Sequence, residues 1–196
     1  MRTQRILVSC FEPFGGRETN ASASAVRALP EKLGTARLFS CTLPVVFGEC
    51  AKVLFERAAE CRPHVIVCVG EAGGRTALTP ERFAVNRMDA RIPDNSGSRP
   101  RGKAILPGGP AKLATLLPAE AMAEAILQAG YPAEVSDSAG TFVCNDLFYR
   151  LLAHRFTPDI PRGFLHVPAE PPEGTDLTHA LLAALSVLTE KPGSGR

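Results

Sequence analysis

The sequence predicts an α/β fold, a sheet with helices on both sides. Strand-like and helix-like segments alternate along the chain, as such a layered fold requires. Continuous apolar runs such as Val65-Ile66-Val67-Cys68-Val69 suit strands covered on both faces. The last helical stretch carries Leu177, Ala180, Leu181, Ala184, Leu185 and Leu188 on one stripe. In chain order, Arg5–Cys10 is the first strand, built on Ile6-Leu7-Val8, and Ala21–Leu29 the first helix. Arg37–Leu43 and Val65–Val69 follow as strands; the helix Phe47–Cys61 between them places Cys50 and Cys61 on its apolar stripe. Arg82–Arg87 reads as a strand opened by Glu81. Asp89–Pro118 is rich in Gly, Pro and Arg with little periodicity, and loops of that length are functional or disordered. The helix Ala119–Ala129 stops at Gly130, with Pro132 beyond. Ala133–Ser136 is a short strand leading into a small-residue turn closed by Gly140. The helix Phe142–Ala153, the strand Gly163–Val167 and the helix Thr175–Thr189 complete the chain, with residues 191–196 expected as a flexible tail.

The chain has 196 residues, enough for one domain with its own core. Apolar content of 45% with 21% charged residues suits a globular domain, and a net charge of +2 gives no reason to expect nucleic acid or an anionic membrane. The apolar stretch at the N-terminus is too short for a signal peptide or membrane span, so the expectation is a cytosolic protein. Six cysteines, at 10, 41, 50, 61, 68 and 144, form no Cys-x-x-Cys pair and no zinc-site spacing with histidine. They read as free thiols, and Cys10, Cys50, Cys61 and Cys68 as small core residues.

Cys144 is the candidate nucleophile. It falls in the first turn of a helix, where unpaired N–H groups and the dipole favour a thiolate. The alternative is a buried structural cysteine. A nucleophile needs a base, and His166, at a strand end before Pro168, is better placed than His64, His154 or His179. The carboxylate that would orient such a base stays open among Glu81, Asp89, Asp94, Asp137 and Asp146. The glycine-rich turns at Gly15-Gly16 and Gly73-Gly74 spell neither a dinucleotide fingerprint nor a phosphate loop.

Four segments resemble the pyroglutamyl peptidase I family of cysteine peptidases. They are Ser9–Gly16, Pro80–Asn86 continuing through Asp89–Asn95, Ser138–Asn145 and Gly163–Pro168, in the family's order and together highly specific. The resemblance implies a single three-layer α/β/α catalytic domain over residues 1–196, with a mixed, mostly parallel twisted sheet. It implies Cys144 as nucleophile, His166 as base and acid, and Glu81 as the orienting carboxylate. Arg91 and the backbone N–H of Cys144 would hold the oxyanion. Phe11, Phe14, Ile92, Phe142 and Val143 would wall the pocket of a neutral lactam, with Asn20 and Glu71 beside it. The implied reaction hydrolyses the amide bond after an N-terminal pyroglutamyl residue through a thioester, without metal or cofactor. The family is often a homodimer or homotetramer, and the exposed part of Asp89–Pro118 is the expected contact surface.

The chain departs from the family pattern at Cys10 (usually glycine), Ala21 (proline), Val45 (threonine) and Glu71 (glutamine). The Cys144–His166 interval is also slightly short, which places a deletion in the loop His154–Arg162. Two rival readings are a silent protein that binds blocked N-termini, and a redox protein pairing Cys144 with Cys10.

Overall fold

β-Branched and leucine-rich runs form the middle of the sheet, where both faces are covered. In the computed structural model, whose described residues are 3–189, the chain runs β1 (Arg5–Phe11), α1 (Ala21–Arg27), β2 (Lys32–Leu33), β3 (Ala36–Leu43), α2 (Glu49–Cys61), β4 (Val65–Ala72), β5 (Thr79–Pro80), β6 (Phe83–Val85), β7 (Lys112–Ala114), α3 (Ala119–Gln128), α4 (Val143–Ala153), β8 (Arg162–Pro168) and α5 (Leu177–Ser186). The main sheet has the order β2-β3-β1-β4-β8-β5. Its β3-β1-β4-β8 centre is parallel, and both edges, β2 and β5, are antiparallel to their neighbours. The sheet is therefore mixed and mostly parallel, as expected. The 191–196 tail lies outside the described residues.

Two apolar layers sandwich this sheet. On one face Ile6, Val8, Val67 and Val69 pack against Val26 of α1, Met122 and Ile126 of α3, and Leu181 and Leu185 of α5. On the other, Leu7, Phe11, Ile66 and Cys68 pack against Leu54 of α2 and Leu147, Phe148 and Leu151 of α4. Strand alternation makes this division, because successive side chains of β1 point to opposite faces. The layers are α1/α3/α5, sheet, α2/α4.

Two expected strands differ. Only Phe83–Val85 of Arg82–Arg87 is a strand, and it leaves the main sheet to pair with β7 in a separate ribbon. The Asn145 side chain, fully buried on α4, holds that ribbon by accepting from the Val85 N–H and donating to the Val85 and Arg87 carbonyls. Ala133–Ser136 forms bridges instead of a strand, Leu78 to Ala133 and Glu81 to Ser136. It still runs parallel to residues 78–82, with Ser136 N–H bonding the Pro80 carbonyl and Arg82 N–H the Ser136 carbonyl.

The long 89–118 segment is ordered. Asn86 bonds the Leu106 and Gly109 carbonyls and the Leu106 N–H, the Tyr149 hydroxyl bonds the Pro110 carbonyl, and Ile105 is buried. Leu106 and Leu116, both 46% exposed, lie on this segment, where the contact surface was expected.

Arg162, almost fully buried, staples the start of β8 to the end of α4. Its guanidinium donates to the carbonyls of Leu151, Leu152 and His154, and to Ile160 and Asp159 across the loop. The last carbonyls of a helix have no partner within it, so a cation there supplies donors and suits the dipole. No helix among the described residues is long and apolar enough to cross a membrane.

Candidate active site

At the carboxyl ends of β1, β4 and β8 lies a cavity of about 410 Å³. Clefts at strand carboxyl ends are the usual ligand position in α/β sheets. Phe11, Phe14, Asn20, Val45, Glu71, Arg75, Arg91, Phe142, Val143, Cys144 and His166 are among its lining residues.

Cys144 and His166 meet around Gly70. The register sets Gly70 of β4 beside His166 of β8. A Cβ on Gly70 would lie 2.9 Å from the Cys144 sulfur and 2.8 Å from the Phe164 ring, so glycine is what lets α4 bring the thiol down onto the sheet here. Behind His166, its Nδ1 lies 2.8 Å from Oε1 of Glu81, whose side chain is fully buried. Glu81 is held by backbone bonds: its N–H donates to the Phe164 carbonyl, and β5 just before it pairs with β8 at Leu165 and His166. The rival carboxylates are occupied elsewhere. Asp89 pairs with Arg87, and Asp137 with Arg82. Asp94 organises its own turn through Ser96 and Ser98 and accepts from the Phe47 N–H, while Asp146 accepts from Gly48 N–H and Arg150.

The electrostatics differ from the reading of Cys144 as an easily ionised thiol. Burial pushes its pKa up to about 12, and the nearby Glu81 charge adds to the rise; Arg75 opposes it. Burial also pushes His166 down from the usual 6.5, more than the Glu81 carboxylate raises it. Desolvation raises Glu81, but the bonds and charges of His166, Ser136 and Arg75 outweigh it and hold the group below the ordinary carboxylate range. The resting pair at neutral pH is therefore thiol and neutral imidazole beside an ionised carboxylate. An ionised carboxylate only accepts, so the imidazole carries its proton on Nδ1 and leaves Nε2 as the basic nitrogen.

α4 starts without a side-chain cap, since Phe142 occupies that position. Its first N–H groups, that of Cys144 among them, have no partner within the helix. Phe142 stands between Phe47, edge-on at 5.5 Å, and Phe14 at 6.0 Å, which together make an aromatic wall. Asn20 caps α1 with Oδ1 and donates to the Glu12 carbonyl through Nδ2, so one amide hydrogen is left over. Ile92 is not among the lining residues; its Cδ1 packs against the Gly15 turn.

The departures from the family pattern also find their places. Both carboxylate oxygens of Glu71 are engaged, by Arg17 at 2.5 Å and by the Ala21 N–H at 2.6 Å. A proline at 21 would lack that N–H. Cys10 faces the α1/α3/α5 layer and bonds toward Cys41 and Thr42, whereas Cys144 packs in the opposite layer, so the two thiols stand on different sides of the sheet. All six cysteines are free.

Arg75 was missed by the sequence reading. It lines the cavity and bonds Glu81, and its only sequence signal is a lone arginine directly after the Gly73-Gly74 turn at the end of β4.

Residues 4–190 match the family model of the pyroglutamyl peptidases. A pyrrolidone-carboxylate peptidase of Levilactobacillus brevis is 47% identical over 85% of this chain and 83% of its own length. One from Streptococcus suis is 44% identical over 88% and 81%. Among solved structures, pyroglutamyl peptidase I of Bacillus amyloliquefaciens superposes with a TM-score of 0.90 at 41% identity, covering 96% of this chain and 97% of that one. Pyrrolidone carboxyl peptidase of Pyrococcus furiosus does so with a TM-score of 0.86 at 35% identity, covering 94% and 97%.

Proposed function

Because the chain belongs to the pyroglutamyl peptidase family, we propose that it is a cysteine exopeptidase that hydrolyses the amide bond after an N-terminal pyroglutamyl residue. The single observation that carries the mechanism is the His166–Glu81 bond, set beside a thiol that only a glycine at position 70 admits. In this reading Nε2 of His166 takes the proton of Cys144 as the sulfur attacks the pyroglutamyl carbonyl, so no standing ion pair is needed. Glu81 supports the imidazolium that forms, as the third member of a triad does. The oxyanion is held by the Cys144 N–H at the uncapped start of α4 and by Arg91; one such donor contributes ~3 kcal/mol. The peptide amine leaves with the proton from His166, and a thioester remains on Cys144. Water, deprotonated by His166, then attacks the thioester and restores the thiol with release of pyroglutamate.

The pocket chemistry supports the lactam. Phe14, Phe142 and Val143 offer apolar walls, and the spare Asn20 amide hydrogen offers a donor for a ring carbonyl. Both carboxylates at the site, Glu71 and Glu81, are already engaged by arginine, so neither is free to recruit an ammonium. The ring of pyroglutamate has no free amine and makes no such demand.

The test is release of a fluorescent amine from its pyroglutamyl amide under reducing conditions, with the prolyl amide as control. Wild-type protein should cleave only the pyroglutamyl amide, and folded Cys144→Ala and His166→Ala should cleave neither. Turnover by Cys144→Ala, or none by folded, reduced wild-type protein, would overturn the reading.

A further inference from the structure

The mechanism above leaves one cation on the cavity wall unused. Arg75 follows the Gly73-Gly74 turn, and its side chain is 26% exposed. Its Nη1 donates to Glu81 Oε1 at 2.6 Å and to the Thr79 hydroxyl; its Nη2 donates to the Ser138 carbonyl at 2.9 Å and reaches the Ser136 hydroxyl at 3.4 Å. Three parts of the site converge on this one fork. Oε1 of Glu81 is the same oxygen that His166 uses. Thr79 lies in β5, paired with His166. Ser136 and Ser138 begin the turn that runs through Ala139 and Gly140 into α4 and Cys144.

We propose that Arg75 is a positioning residue for the peptidase reaction: it fixes the Glu81 carboxylate behind His166 and ties it to the turn that carries Cys144. This rests on the triad reading. A planar guanidinium can serve a carboxylate, two hydroxyls and a carbonyl at once, whereas an ammonium is a point charge on a flexible stem. Arg75 uses both its Nη groups inside the protein, so its removal should act on turnover more than on substrate affinity. Its charge also bears on both reacting groups, opposing protonation of His166 and favouring ionisation of Cys144. The other ionisable groups around them are Glu81 behind the imidazole, Cys68 of β4 and Cys50 of α2 near the thiol, and Arg91 and Glu71 on the cavity wall, the latter paired with Arg17.

The experiment compares wild type, Arg75→Lys and Arg75→Met on the fluorogenic pyroglutamyl amide across roughly pH 5 to 9, with thermal unfolding alongside. In Arg75→Met, kcat should fall about a hundredfold with KM little changed, and the acidic limb of kcat/KM should move up by on the order of one pH unit. In Arg75→Lys the limb should stay near the wild-type position, because the charge remains, while kcat falls about tenfold because the fork is lost. A folded Arg75→Met enzyme with wild-type kcat and limb would overturn the proposal. So would a raised KM with kcat intact, which marks a substrate contact. If Arg75→Met does not fold, Arg75→Lys decides alone: full kcat refutes positioning by the fork, and a fall at constant KM supports it. Activity surviving in Cys144→Ala would remove the triad reading itself. Activity lost there but kept in Arg75→Met would leave the triad and remove only Arg75.

Discussion

Gly70→Ala isolates the geometry of the nucleophile. The added Cβ would stand 2.8 Å from Cζ of Phe164 and 2.9 Å from the Cys144 sulfur, where ordinary contact begins near 3.4 Å. The deficit is about half an ångström on each side, and in a close-packed interior something must move. Phe164 cannot yield: its ring is buried and packed against Phe11, Phe148 and His166. The new Cβ and β4 are therefore pressed away from the ring, and the thiol with the start of α4 must shift to make room. Overpacking of this kind costs about 1–3 kcal/mol, and at about 2–4 °C per kcal/mol for a domain of this size, Tm should fall by several degrees. A misplacement of about 1 Å costs ~100-fold in rate, so a shift of about half that should lower kcat about tenfold. Gly70 has no left-handed backbone requirement, so the substitution tests the contact alone. Fluorogenic turnover and a melting curve on the same preparation read both effects. A folded Gly70→Ala protein with wild-type kcat would refute the claim that the glycine sets the thiol's position.

Four further outcomes follow from the same geometry. Glu81→Gln keeps the shape but not the charge behind the imidazolium, so it should retain weak turnover, roughly 10³–10⁴-fold below wild type in kcat; near-wild-type activity would remove Glu81 from the triad. Glu71→Ala strips the acceptor from both Arg17 and the Ala21 N–H and loosens the loop that carries Phe14 and Asn20. Charged hydrogen bonds contribute about 1.5–3 kcal/mol each, so KM should rise about tenfold, with a smaller change in kcat. Arg162→Met leaves several helix-end carbonyls without donors, at about 1–3 kcal/mol apiece, and should lower Tm sharply in thermal unfolding; an unchanged Tm would remove the staple. The folded-state pKa of His166 lies below 6.5, and Glu81 and Asp94 are held below the usual carboxylate range. All three contributions are full above the unfolded values and lost as pH falls through the folded ones. Stability should therefore decline on acidification, beginning below pH 6.5 with His166 and with His154, which burial and Arg162 also hold down; Tm measured against pH should show a steeper first decline in wild type than in His166→Gln, and equal slopes would remove the His166 contribution.

Much of this architecture was legible in the chain. The unbroken Val65–Val69 run marked a strand covered on both faces, and the stripe from Leu177 to Leu188 marked a helix lying on the sheet. Cys144 and His166 were legible from position, one at a helix start and one at a strand end. Glu81 was not separable from its rivals, because its partner lies 85 residues away and meets it only through the β5–β8 pairing. The ionisation of Cys144 was misjudged for a related reason. Helix position argues for a thiolate, but the packing of α4 onto Gly70 desolvates the sulfur, and burial wins. Arg82–Arg87 failed as one strand because Asn145, buried in α4, draws Phe83–Val85 into a ribbon of its own.

The Arg162 staple has a consequence for how this scaffold tolerates change in length. It joins the last turn of the nucleophile's helix directly to the first residue of the base's strand, so the loop from 155 to 161 does not determine how Cys144 and His166 face each other. The sequence reading places the short interval between those two residues in this stretch. For a loop closed by its own clamp, each doubling in length costs only about 0.6 kcal/mol. Insertions and deletions there should pass through the protein's history, or through an engineer's hands, without reaching the chemistry at the opposite end of the sheet.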